Sequence, residues 1–120
     1  MFSHMKLAIM QPYFFPYIGY FQLIDAVDKF ILYHNISFRK KSWINRNRIL
    51  YRNGHVNLVT VPLVKQSSNK RINELIVDDS TPWRRKLLKK VYLNYRRAGY
   101  FDETYHLIES VLSEKSHSLY

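Results

Sequence analysis

Residues 7–33 read LAIMQPYFFPYIGYFQLIDAVDKFILY, and their patterning sets the fold class. Lys6 to Gln11 is a compact apolar run stopped by Pro12, as in a short buried strand. Pro12 and Pro16 disfavour helix in the residues before them. Tyr13, Phe14, Phe15, Tyr17 and Tyr20 crowd the same segment, so the strand-to-helix loop is built from rings rather than glycines. Gly19 stands at the start of the next helix, where a missing Cβ lets another backbone or a ligand come close. Tyr20, Leu23, Ile24 and Val27 then follow i, i+3, i+4, i+7 spacing, which predicts an amphipathic helix. Phe30 to Tyr33 is a second buried-type strand. Strand, helix and strand within about thirty residues make a βαβ unit, with parallel strands and a right-handed crossover.

Beyond this unit, His34 to Arg52 is polar and basic, and its spacing predicts helix between Lys41 and Ile49. Asn53-Gly54 is a turn signal, and Val56 to Val61 is a third strand closed by Pro62. Ile72 to Val77 reads as a fourth. Thr81 as N-cap and Pro82 at the first helical position open a helix running to about Ala98, where Gly99 ends it. Its core stripe is Trp83, Leu87, Leu88, Val91 and Tyr95. Asp102 caps a last helix with Tyr105, Ile108, Val111 and Leu112 on its apolar face. The expected fold is α/β: a three- to four-stranded sheet, at least partly parallel, that starts with a βαβ unit and is followed by two C-terminal helices. Residues 1–120 form one domain with no linker or repeat, and 113–120 is a tail.

The 120 residues carry 19 Lys and Arg against nine Asp and Glu, a net charge of +10. Thirteen of those cations fall within 39–52 and 84–97, stretches without a single acid. Such an excess selects anionic partners. The absence of cysteine excludes disulfides and thiolate metal sites. His4, His34, His55, His106 and His117 are scattered without HxH or HExxH spacing, so no metal centre is expected. Glycine-rich phosphate loops and a GxSxG elbow are missing. No apolar run approaches the ~20 residues of a membrane-spanning helix, and the first residues lack the features of a secretory signal. The expectation is a cytoplasmic protein with no cofactor and no membrane span.

Two segments carry candidate chemistry. Ligands of open α/β sheets bind beyond the carboxyl ends of the strands, where Gln11 to Gly19 lies, ahead of a helix N-terminus suited to an anion. Gln11, Tyr13 and Tyr17 are the ligand-facing candidates there, with Gly19 and Tyr20. The second segment, Lys40 to Arg48, joins cations to two carboxamides and an indole. Guanidinium forks hold phosphate, and Asn pairs with hydroxyls. On a helix Lys41, Asn45 and Arg48 share a face, with Arg46 nearby. The plainer alternative is a solvated basic surface anchored by Trp43 and Ile44. No residue can be assigned a catalytic step.

Tyr17-Ile18-Gly19-Tyr20 resembles the H-x-G-H frame that opens the first helix of nucleotidyltransferases, with tyrosine at both histidine positions. More extensively, QPYFFPYIGYFQLI and KSWINRNRI together are similar to the N-terminal half of the WbqC-like family, and the similarity spans residues 5–112. The family pattern falls on Gln11, Pro12, Tyr13, Pro16, Gly19, Tyr20, Lys41, Asn45, Arg46 and Arg48. The resemblance implies a transferase-type protein of bacterial surface polysaccharide (O-antigen) biosynthesis. Such a protein acts on or binds a nucleotide-linked amino sugar or an activated acyl or glycyl donor. Members are longer, which implies that the chain is a partial, truncated member with an incomplete sheet, and that Met1 to His4 is an upstream extension. Rival readings are a nucleic-acid-binding module, prompted by the basic–aromatic interleaving, and an inactive fragment.

Overall fold

The computed structural model describes residues 4–114 and 116–119; of the expected upstream extension, Met1 to Ser3 lie outside the described residues, as do Lys115 and Tyr120 of the tail. The βαβ unit is present. β1 (Leu7–Met10) pairs in parallel with β2 (Lys29–Leu32), and α1 (Ile18–Ala26) crosses between them. Ala8 lies opposite Phe30 and Met10 opposite Leu32. Side chains alternate across a strand, so these four share one face. Tyr20 of α1 packs on it, its ring edge-on to Phe30 at 5.5 Å, while Leu32 at the strand end stays exposed.

The remaining strands form a separate antiparallel pair, so the four strands found among the described residues are divided between two small sheets rather than joined in one. β3 (Arg46–Leu50) pairs with β4 (Val56–Thr60) around the turn at Asn53-Gly54, where Gly54 takes φ +85°. This corrects the helix expected over Lys41 to Ile49. The cation spacing imitates a helical period, but Asn47 and Ile49 point to the core side of a strand whose partner lies across the turn. The fourth strand expected at Ile72 to Val77 is also absent as such. Ile72–Glu74 forms a single 3-10 turn, and the segment joins its neighbours through isolated bridges, Leu63 to Val77 and Ile76 to Ser118.

The two C-terminal helices are α2 (Trp83–Tyr95) and α3 (Phe101–Leu112). Pro82, not Thr81, is the N-cap of α2, without a side-chain cap bond, and the helix stops three residues short of Ala98. Tyr100 caps α3 in the left-handed conformation, and Asp102 lies in the first turn, where a negative charge suits the helix dipole. Among the described residues no helix is long and apolar enough to cross a membrane.

Two apolar clusters make the interior. Phe38, Ile44, Ile72 and Leu75 form one, with Ile36 and Leu63 packed on it. Val59, Leu87, Val91 and Leu112 form the other, and it takes in Phe14 and Phe15. The ring-rich loop is therefore gripped between the β3–β4 hairpin and the C-terminal helices. That grip fixes the position of the candidate site.

Candidate functional site

The loop after β1 is shaped by its own hydrogen bonds. Gln11 donates from Nε2 to the Tyr13 hydroxyl at 2.7 Å, and the Tyr20 hydroxyl donates to the Gln11 carbonyl at 2.9 Å. Tyr20 is buried, and burial, with a smaller contribution from nearby Tyr13, raises its phenol above the ordinary value. Phe14 and Phe15 stack at 4.4 Å. Phe15 adopts φ +47°, unusual for a residue with a Cβ. Asn47 of β3 stabilises that bend by donating its amide to the Phe14 and Phe15 carbonyls at 3.0 and 2.8 Å. The Phe14 backbone N–H donates to the Trp43 carbonyl at 3.0 Å. These bonds, bridging some thirty residues of sequence, bring the aromatic loop and the basic segment together.

The basic segment is a tight turn, not a helix. The Ser42 hydroxyl donates to the Arg39 carbonyl at 2.6 Å, and Lys41 takes φ +60°. Arg46 donates from its guanidinium to the Lys41 carbonyl and so braces the turn from β3. Arg46 and Arg48 alternate on one face of β3, and both guanidinium carbons lie over the Trp43 ring, at 5.7 and 5.2 Å from its centroid. Cations over an indole face are favourable, more so where partly desolvated.

Two adjoining open cavities result. One, of about 490 Å³, is lined by Gln11, Tyr13, Arg39, Lys40, Lys41 and Trp43, with Ser42 and Ser68. The other, of about 330 Å³, is lined by Met10, Tyr13, Pro16, Tyr17, Trp43 and Asn47. Tyr13 and Trp43 are common to both. One compartment presents cations and hydroxyls; its neighbour presents ring faces and a carboxamide. No carboxylate lines either one. Among the described residues no three His, Asp or Glu side chains gather where they could hold a metal ion.

The structure thus brings together Gln11, Tyr13, Tyr17 and Lys41. Arg46 and Arg48 stand behind them against Trp43 and line neither of these two cavities; Arg46 braces the turn, and Arg48 lines a separate cavity with Phe15, Ile49 and Tyr95. Asn45 does not join this group: it is 4% exposed, and its amide donates to the Val61 carbonyl at 3.0 Å, so its carboxamide ties β3 to the end of β4. Tyr20 is equally committed inward. Gly19 has a local purpose. A Cβ there would lie 2.4 Å from Cε2 of Tyr17, so its absence lets the Tyr17 ring rest on the first turn of α1. Arg39, Lys40 and Trp43 line the cavities without having been singled out as site residues, although their place in an acid-free run was a usable signal. Asn47 lies in the same run, but its bonds to the Phe14 and Phe15 carbonyls were not readable there, because these partners are far away in sequence.

The comparisons with known proteins speak to the family. The WbqC-like family profile matches residues 11–120. Uncharacterized protein Rv1507c of Mycobacterium tuberculosis (strain ATCC 25618 / H37Rv) is 35% identical over 114 residues. The match takes in 94% of this chain and 48% of that protein, so the chain spans about half the length of the relative. No solved structure matches. The likeness to nucleotidyltransferases finds no support in these matches, and the second tyrosine of the Tyr17-Ile18-Gly19-Tyr20 frame points to the Gln11 carbonyl instead of toward a ligand. On the profile match, which covers nearly the whole chain, this protein belongs to the WbqC-like protein family.

Proposed function

We propose that the chain provides the anion-binding part of a transferase-type WbqC-like protein that takes a nucleotide-linked amino sugar or an activated acyl or glycyl donor, in bacterial surface polysaccharide biosynthesis. The observation that carries this reading is the pair of cavities sharing Tyr13 and Trp43, one cationic and one ring-lined. An activated donor of this class has the same division: a charged phosphate portion and a flat or hydroxylated portion. Lys40, Lys41 and Arg39 meet the phosphate oxygens. Tyr17 and Trp43 offer faces to a base or sugar, and Gln11 and Tyr13 hydrogen-bond its polar edge. Titration with UDP- and dTDP-sugars tests it: Lys41→Ala is expected to weaken binding about tenfold, as loss of a charge-assisted contact does. Unchanged affinity removes the phosphate-holding role.

A second reading, a nucleic-acid-binding module, draws on α2, where Arg85, Lys86, Lys89 and Lys90 are exposed and form no ion pair among the described residues. It requires tight binding to single-stranded oligonucleotides that falls steeply with salt. Flat, weak binding dismisses it.

A further inference from the structure

A third cavity, of about 330 Å³, lies between the β3–β4 hairpin and the two C-terminal helices. Its floor is apolar: Val91 of α2 is buried, and Ile49 of β3 and Ile108 of α3 pack in the same cluster. Two bonds fasten the hairpin wall to α2. The Leu50 backbone N–H donates to the Tyr95 hydroxyl at 3.0 Å, and that of Arg52 donates to Asn94 Oδ1 at 3.1 Å. The turn between the helices contributes Ala98 and Gly99, which have almost no side chain to fill the space; a Cβ on Gly99 would meet nothing within 4 Å. The cavity is thus built into the fold, as ligand sites usually are. Its polar side chains are Arg48, Tyr95, Thr104 and Tyr105, each able to donate, and no carboxylate lines it. Arg48 and Thr104 are exposed, so the donors reach the rim above an apolar floor. Arg48 forms no ion pair among the described residues. The Tyr95 hydroxyl accepts from Leu50 and keeps its own proton to give. Asp102 and Glu103, in the first turn of α3, do not line the cavity.

We propose that this cavity binds a medium-length aliphatic carboxylate, with its chain on the Val91 floor and its head at the Arg48 rim. An apolar cavity of roughly 150 Å³ holds a benzene ring. About 330 Å³ therefore takes roughly a dozen non-hydrogen atoms, a chain of about ten carbons with its two oxygens. A carboxylate offers about four lone-pair sites. The Arg48 fork meets two of them, and the Tyr95 and Thr104 hydroxyls meet the others. A neutral chain would leave the guanidinium without its counter-charge, and a cationic head would be repelled by it.

Titration of the chain with decanoate, decanol and decyltrimethylammonium, each below its micellar concentration and followed by amide chemical shifts, provides the test. Decanoate is expected to shift the amides of Leu50, Ala98, Gly99 and Thr104, to bind about tenfold more tightly than decanol, and to exceed the ammonium by more. Affinity is expected to rise about tenfold from octanoate to decanoate, as two more methylenes are buried, and to level off once the cavity is full. Arg48→Gln is expected to weaken decanoate about tenfold by removing a charge-assisted pair and to leave decanol unchanged. Arg97→Gln, which removes an exposed cation outside the cavity, is expected to change neither. The proposal is overturned if the shifts fall on other parts of the chain, if the three head groups bind alike, or if Arg48→Gln binds decanoate undiminished. This cavity is separate from the pair that shares Tyr13 and Trp43, and no readout involves a nucleotide sugar, so the two sites stand or fall separately.

Discussion

Asn47 holds the Phe15 carbonyl at 2.8 Å from a strand 32 residues further along the chain. The same amide also holds the Phe14 carbonyl, at 3.0 Å, so a single side chain joins the βαβ unit to the hairpin and gives the ring-lined cavity its wall.

Asn47→Ala is expected to destabilise the fold by about 1–3 kcal/mol, because two part-buried carbonyls lose their donor. Asn47→Asp is expected to cost more, since a carboxylate cannot donate and would face two carbonyl oxygens. Urea unfolding of the three proteins measures both. Equal midpoints for wild type and Asn47→Asp would show that the amide does not hold the loop.

Gly19→Ala separates stability from binding. The added methyl's nearest neighbours are all atoms of the Tyr17 ring, which is the free end of an exposed side chain and can swing aside. Alanine in the first turn of α1 also restricts the unfolded chain. The melting temperature is therefore expected to stay within about 3 °C of wild type, the equivalent of ~0.5 kcal/mol for a domain of this size, while affinity for a nucleotide sugar falls as far as in Tyr17→Ala. A large loss of stability would mean that the ring is held rigidly in place.

The C-terminal tail has an acid-sensitive tie. Asp79 accepts from Arg84 Nε at 2.9 Å and from the Trp83 indole at 2.8 Å. Arg84 also donates to the Leu112 carbonyl at 2.9 Å. Hydrogen bonding from Arg84 holds the Asp79 carboxyl below its ordinary value, against a smaller opposing effect of burial. With the folded value depressed, this stabilisation is complete above the usual carboxylate range and fades as pH falls below about 4. Amide exchange at residues 112–114 and 116–118 is expected to accelerate over that interval in wild type, and to be fast and pH-independent there, after correction for intrinsic rates, in Asp79→Asn. An unchanged wild-type profile down to the global acid transition would exclude the tie.

Tyr20 gives the complementary alkaline response. Its phenol is raised above the ordinary value by burial, so its contribution is complete below about pH 10 and is lost as pH rises through the higher folded value. Tyr20→Phe loses the bond to the Gln11 carbonyl, at a cost of about 1 kcal/mol, and is expected to show a flatter stability curve above pH 10. Thermal melts across that range distinguish the two; parallel curves would rule out Tyr20 as the source of the alkaline loss.

What the sequence made legible was local. The βαβ unit followed from an apolar run, two prolines and a helical period within residues 7–33, and the hairpin turn from Asn53-Gly54. The strand at Arg46–Leu50 was hidden because its direction is set by pairing with Val56–Thr60 and by burial of Ile49 among helix side chains, neither of which a period within one segment reports. Ile72 to Val77 has strand composition but, among the described residues, only isolated bridges to its neighbours, and it opens with a 3-10 turn. At the candidate site, residue types in an acid-free run marked a segment that the fold brings against the aromatic loop. Which of them face solvent was settled by contacts across the fold: Asn45 turns to Val61, and Asn47 turns to Phe14 and Phe15.

Trp43 lies at the junction of the two cavities with Arg46 and Arg48 against its ring. Indole emission responds to nearby charge and to solvent, so the chain carries an intrinsic optical reporter at the proposed ligand site. The second indole, Trp83, sits under Arg84 at the start of α2. With Trp83→Phe as background, the colour of one fluorophore can follow occupancy without any label.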